Sequence, residues 1–233
     1  MRDDPVSGGP AAVLWDMDGT LVDSEKVWTV SLADAAEALG GSLSSGAREA
    51  IIGSNLPRTL EIMFADLGLA LDAARLAEAR RLILDRTGEL FAEGLEWRPG
   101  AQDALRAVTQ AGWPTALVTN TGRLLTELAL DGIGREHFTV TVCGDEVAHG
   151  KPAPDPYLRA AELLGVEASD CLAVEDSPLG ALAAQCAGAA VLVVPCEVPV
   201  PDGPGRVHRA SLVGLDAAEV RSDYTRARHD RAA

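Results

Sequence analysis

The stretch 12-AVLWDMDGTLVDSE-25 runs four apolar residues straight into two aspartates separated by one methionine. Ala12 to Trp15 have strand character, and Asp16, Asp18, Gly19 and Thr20 stop the strand, because Asp and Gly favour turns over pleated structure. Side chains alternate along an extended chain, so Asp16 and Asp18 can share one side if extension persists past Trp15. Carboxylates this close stay ionised together only beside a cation, and Mg2+ takes hard oxygen ligands of this type. One carboxylate could then attack an electrophile while the other carries a proton. The alternative is a solvated Asp-Gly turn. An EF-hand loop starting at Asp16 is excluded, since it needs Gly and Glu where Leu21 and Val27 stand.

Four further apolar runs follow: 114-PTALVTN-120, 138-FTVTVCG-144, 170-DCLAVEDS-177 and 189-AAVLVV-194. Helical patterns come between them. Near-continuous apolar strands alternating with helices predict an α/β fold, a Rossmann-like parallel sheet covered on both faces. Ligands bind beyond the carboxyl ends of such strands. Residues 25–96 break the rhythm with helical periods and no convincing strand. They are expected to form an α-helical cap inserted into a core made of residues 1–24 and 97–221. Pro99 stands near the start of the next core helix. The polar segment 221-RSDYTRARHDRAA-233 predicts a flexible tail over 222–233.

The 233 residues suffice for a full core plus an insertion. A formal net charge of −15 gives a surface field that repels nucleic acid and anionic membranes, so neither is an expected partner. An anionic substrate would need local cations. Cys143, Cys171, Cys186 and Cys196 form no CxxC pair, and three lie in or beside apolar stretches, which predicts reduced and mostly buried thiols. The opening MRDDPVSGGP lacks the cationic start and apolar run of a signal peptide, and no apolar stretch approaches a membrane span. A cytoplasmic protein is expected.

Three more motifs could carry chemistry. In 117-LVTNTG-122, Thr119 and Asn120 follow a strand and precede a helix, where hydroxyl, amide and backbone N–H groups can hold an oxyanion or simply cap. Lys151 lies in 149-HGKPAPDPY-157, where prolines restrict the loop; alone it reads equally as a surface charge. Pro152 stands where a P-loop needs Ser or Thr, so that motif is excluded. In 172-LAVEDSPLG-180, Glu175 and Asp176 end another apolar run. Each motif falls at the carboxyl end of a predicted strand. Together they supply a nucleophile, a proton carrier, metal-binding acids, an oxyanion donor and a cation, which suits phosphoryl transfer.

With DMDGT at 16–20, Thr119, Lys151 in GKPAPDPY and EDS at 175–177 in this order, the chain resembles the haloacid dehalogenase (HAD) superfamily over roughly residues 11 to 220. The similarity is to the branch with a helical cap after the first strand. That resemblance implies Asp16 as nucleophile forming an aspartyl-phosphate, and Asp18 as general acid and base. It implies Mg2+ held by Asp16, the Asp18 backbone carbonyl and Asp176, with Glu175 close by. Thr119 and Lys151 would bind the phosphoryl oxygens. The dehalogenases of the superfamily lack the second aspartate and the metal, so Asp18 with Glu175 and Asp176 argues against them.

The mutases of this branch carry a His where this chain has Trp28, an Arg where it has Leu56, and a Ser-Lys-Asn run where it has Thr121, Gly122 and Arg123. Arg58 or Arg123 could compensate. The run 23-DSEKVW-28 instead resembles the DSE..W signature of sugar-phosphate phosphatases. The resemblance therefore implies a Mg2+-dependent phosphatase acting on a small phosphorylated metabolite, with a phosphosugar mutase or a non-catalytic phosphometabolite-binding protein as alternatives. A monomer or weak homodimer is expected. Glu25, Trp28, Gly53, Asn55 and Arg58 of the cap, with Asn120, are the candidate substrate-binding residues. Trp28 reads equally as helix packing.

Overall fold

The computed structural model describes residues 8–232. Residues 1–7 of the expected core segment and leader reading, and Ala233 of the expected tail, lie outside the described residues. Strands β1 (Ala12–Trp15), β2 (Thr115–Val118), β3 (Val140–Val142), β4 (Cys171–Glu175), β5 (Ala190–Val193) and β6 (Arg206–His208) pair in parallel in the order β3-β2-β1-β4-β5-β6. Every residue of β1, β2, β4 and β5 is buried, which is why these strands read as apolar runs interrupted only at their ends, by Thr115 and Glu175.

The two faces of the sheet follow from strand alternation. Val13 and Trp15 of β1, with Leu117, Leu172, Val174 and Leu192, face one layer. That layer holds α5 (Ala101–Gln110), α6 (Arg123–Ile133) and α9 (Ala217–Ala232). Ala12 and Leu14, with Ala116, Val118, Ala173 and Val191, face α7 (Asp155–Leu164) and α8 (Pro178–Cys186). Alanines 181, 183 and 184 let α8 approach the sheet closely. The strand order reverses between β1 and β4, so the crevice at their carboxyl ends is the natural ligand position.

Between β1 and β2 lie α1 (Glu25–Ala38), α2 (Ser45–Ile51), α3 (Leu56–Asp66) and α4 (Ala73–Ala92), without a strand. They have their own core of Leu32, Ala35, Ala36, Met63, Phe64, Ala79 and Ile83. Ser44, Asn55 and Asp72 cap α2, α3 and α4 through their side-chain oxygens. The chain enters and leaves this block side by side: Val22 bridges Trp97, and Asp23 N–H donates to the Glu96 carbonyl at 2.8 Å. Trp28 packs against both this core and the sheet core, and meets the Phe91 ring edge-on at 6.3 Å. One tryptophan joins the two bodies.

The structure departs from the sequence reading in three places. The segment 222–233 is not a flexible tail over its described part: α9 continues through it, with Tyr224 and Ala227 buried. Val220, Tyr224 and Ala227 form an i, i+4, i+7 stripe that a polar average hides, and buried Asp223 pairs with Arg209. Strand β6 was not foreseen, because only Val207 of its three residues is buried. Of the cysteines, all free, Cys143 and Cys171 are buried and Cys196 is half-buried, while Cys186 at the end of α8 is exposed. No helix among the described residues is long and apolar enough to cross a membrane.

Candidate active site

Asp16 follows β1, Thr119 follows β2, and Glu175 and Asp176 sit at the end of β4, so adjacent parallel strands bring residues far apart in sequence to one edge. Lys151, on the loop before α7, completes the centre. Its Nζ donates to Asp16 Oδ1 at 2.6 Å and to Glu175 Oε1 at 2.5 Å. One oxygen from each of Asp16, Glu175 and Asp176 lies within 4.8 Å of the others. Lys151 is the sole buried cation among the described residues.

Three carboxylates against one ammonium leave an excess of negative charge in a buried place. Burial, opposed by Lys151 and reinforced by Glu175 and Asp18, pushes the Asp16 carboxyl up to about 7. Burial with Asp16, Glu175 and Glu25 nearby holds Asp176 well above the carboxylate range. Burial works against the Lys151 charge, but Asp16 and Glu175 outweigh it and hold the ammonium above its ordinary value. Asp16 Oδ2 is buried without a hydrogen-bond partner. An orphaned carboxylate oxygen among hard oxygen donors with surplus negative charge fits a divalent cation such as Mg2+.

Asp18 is held differently. Ser24 Oγ (2.7 Å) and Trp28 Nε1 (3.0 Å) donate to its Oδ1, and Thr121 Oγ1 (2.8 Å) and Thr119 Oγ1 (3.1 Å) to its Oδ2. Trp28 therefore bonds a site carboxylate as well as packing. Gly19 turns the chain between the aspartates and Thr20 with φ of +79°, and a Cβ there would meet Asp176 Oδ2 at 2.2 Å. Only glycine fits.

A cleft of about 2100 Å³ between the helical block and the sheet is lined by Asp16, Asp18, Thr119, Asn120, Lys151 and Asp176. Glu25, Trp28, Gly53, Asn55 and Arg58 line it from the other side. Burial, with Asp18, Glu197 and Asp23 nearby, pushes Glu25 up to about 7. Arg58 is exposed and paired with Glu61, and Asn55 caps α3. Glu175 does not reach the cleft: its Oε1 also accepts from Tyr157 Oη, and its Oε2 accepts from Ser177 Oγ. Arg123 is tied to Glu146, Glu127 and Thr141 away from the cleft. The sequence reading did not single out Ser24, Tyr157, Arg48 or Arg80, and gave Thr121 and Ser177 no site role; Arg48 and Arg80 line the cleft. Tyr157 closes the GKPAPDPY motif, and that position was its available signal.

A probable pseudouridine-5'-phosphatase of Drosophila melanogaster is 35% identical over 193 residues, covering 78% of this chain and 80% of that protein. A plasmid-encoded phosphoglycolate phosphatase of Cupriavidus necator is 34% identical over 87% of this chain and 88% of its own length. The crystal structure of a CbbY variant from Rhodobacter sphaeroides with xylulose-(1,5)bisphosphate superposes with a TM-score of 0.81 at 28% identity, covering 91% of this chain and 99% of that one. The model of haloacid dehalogenase-like hydrolases matches residues 10–188, which include Asp16, Asp18, Thr119, Lys151, Glu175 and Asp176. The chain belongs to the haloacid dehalogenase-like hydrolase family.

Proposed function

We propose that this protein hydrolyses a small phosphomonoester, a sugar phosphate or similar metabolite, through an aspartyl-phosphate on Asp16, with Mg2+ as cofactor. The observation that carries this reading is the buried set of Asp16, Glu175 and Asp176 around one lysine, with Asp16 Oδ2 unpartnered at the cleft. Asp16, the Asp18 carbonyl and Asp176 would hold Mg2+, which when bound neutralises carboxylate and phosphoryl charge. Lys151 fixes the Asp16 carboxylate through Oδ1 for attack on phosphorus. The P–O bond to Asp16 forms as the ester P–O bond breaks, and Asp18 gives its proton to the leaving oxygen. Asp18 then takes a proton from water, whose oxygen attacks phosphorus and releases Asp16. Lys151, with one N–H beyond those given to Asp16 and Glu175, is the donor placed to hold a phosphoryl oxygen, and the Thr119 hydroxyl would join it on turning from Asp18. Residues 25–96 would act as a cap that excludes bulk water during attack.

The similarity to a probable pseudouridine-5'-phosphatase and a phosphoglycolate phosphatase supports a phosphorylated small metabolite. The mutase alternative is weakened because Arg123, which could have replaced a phosphate ligand, is held in ion pairs. Phosphate release from an aryl phosphate and a panel of metabolite phosphates, with Mg2+ or with EDTA, tests the reading. Activity is expected with Mg2+ and is lost in EDTA and in Asp16→Asn. Full turnover by the Asn variant would sink the nucleophile assignment. Conversion of β-glucose 1-phosphate to glucose 6-phosphate without phosphate release would favour the mutase, and binding without turnover across the panel the non-catalytic reading. Gel filtration tests the expected monomer or weak homodimer.

A further inference from the structure

We propose that the Asn120 side chain is a positioning group, a clasp that ties the helical block to the loop carrying Lys151, and that its amide is not a substrate ligand. The proposal rests on the phosphatase reading only for its kinetic consequence. Asn120 Nδ2 donates to the Gly53 carbonyl at 2.9 Å and to the Lys151 carbonyl at 3.2 Å. Its Oδ1 accepts from Lys151 N–H at 2.8 Å. An asparagine amide has two N–H groups, and both are engaged. None remains for a phosphoryl oxygen. The assignment of oxygen and nitrogen is self-consistent, because reversing it would face the amide nitrogen toward a donor and the oxygen toward two carbonyls.

The surrounding residues are shaped around this contact. A Cβ on Gly150 would lie 2.6 Å from Asn120 Oδ1 and 3.0 Å from Asn55 Nδ2. Gly150 is not among the glycines of positive φ, so the room for Asn120, and not the backbone, demands glycine there. A Cβ on Gly53 would come within 3.1 Å of Ser177 Oγ, so the 53–55 loop is seated directly on the core. Gly53 belongs to the block, Asn120 to the end of β2, and Lys151 to the loop that reaches Asp16. If the block lifts, the Asn120–Gly53 bond breaks, and the Asn120 amide keeps two of its three bonds. Seating of the block and placement of the Lys151 backbone are thereby linked.

Amide hydrogen exchange on the full chain tests this, with inorganic phosphate binding and aryl phosphate kinetics measured beside it. Asn120→Asp keeps an acceptor for Lys151 N–H but turns a carboxylate onto the Gly53 and Lys151 carbonyls. Gly150→Ala leaves Asn120 intact and displaces it. In both variants exchange over residues 51–56 is expected to rise at least about tenfold, while α7 keeps wild-type protection as the folding control. For Asn120→Asp, kcat falls about tenfold with KM and the Kd for inorganic phosphate moving less than about twofold. Unchanged exchange over 51–56 in both variants overturns the clasp, as does a phosphate Kd weakened about tenfold with exchange unmoved. Exchange needs no turnover, so a wild-type protein without phosphatase activity would fail the functional reading and leave the clasp to be judged by exchange.

Discussion

Asp16→Asn should stabilise the metal-free protein at alkaline pH while abolishing its chemistry. The wild-type carboxyl is pushed from an ordinary 3.8 up to about 7, chiefly by burial. At about 1.36 kcal/mol per pKa unit this rise costs the ionised folded state roughly 4 kcal/mol, an upper figure because the site is shared with Glu175 and Asp176. The folded state binds more protons than the unfolded state between the two values. Stability contributed by Asp16 therefore falls as pH rises from about 4 to 7 and is flat above. Asparagine has a similar shape, still offers Lys151 an acceptor, and cannot ionise. In a 233-residue chain this upper figure converts to a Tm higher by at most about 10 °C for the variant in EDTA at pH 8. At pH 5 most folded wild-type molecules carry the proton, and the gap should shrink to roughly a third. Adding Mg2+ at pH 8 should narrow it too, by stabilising the wild type more than the variant. Calorimetric melts at both pH values, with EDTA or Mg2+, measure all of this. A variant no more stable than wild type in EDTA at pH 8, or a gap independent of pH, would refute surplus charge at Asp16 as the driving feature of the site.

A methyl group on Gly180 would come within 2.0 Å of both Glu175 carboxylate oxygens, so Gly180→Ala should cost about 1–3 kcal/mol in urea unfolding and at least about tenfold in kcat, through displacement of the Lys151 anchor. Trp28→Phe keeps the ring against Phe91 but removes the 3.0 Å bond to Asp18. It should lower kcat about tenfold with a Tm change under about 3 °C, and an unchanged kcat would make Trp28 a packing residue only. Truncation after Ser222 removes buried Tyr224 and Ala227 and leaves Arg209 without Asp223. Its expected cost is at least about 4 kcal/mol by urea unfolding, and a stability equal to the full chain would restore the flexible-tail reading.

The alternating plan was legible because parallel strands buried on both faces must be largely apolar, as β1 and β5 are throughout and β4 is up to Glu175. The missed elements show the limit of that signal. β6 is an edge strand with one buried residue, and α9 buries a narrow stripe under a charged average. The catalytic candidates were legible too, since Asp16, Thr119, Lys151 and Asp176 each stand at a strand end or in the loop that follows. What each side chain does there was not legible. Glu175 reads in the sequence as a metal-binding acid alone, and in the fold it also accepts from Lys151, Tyr157 and Ser177. Asn120 looks like an anion donor until its amide is found on Gly53 and Lys151.

Sequence alone determined which chemical groups are present and that parallel strands gather them at one edge, because the pattern of apolar runs dictates the layers and the layers dictate the ends. Only the tertiary structure decided which groups touch. Hydrogen bonds reach about 3 Å, and whether Asp18 meets Trp28, or Asn120 meets Gly53, depends on how the helical block packs down on the sheet. That packing is set by side chains distant in sequence and visible only when they are brought together.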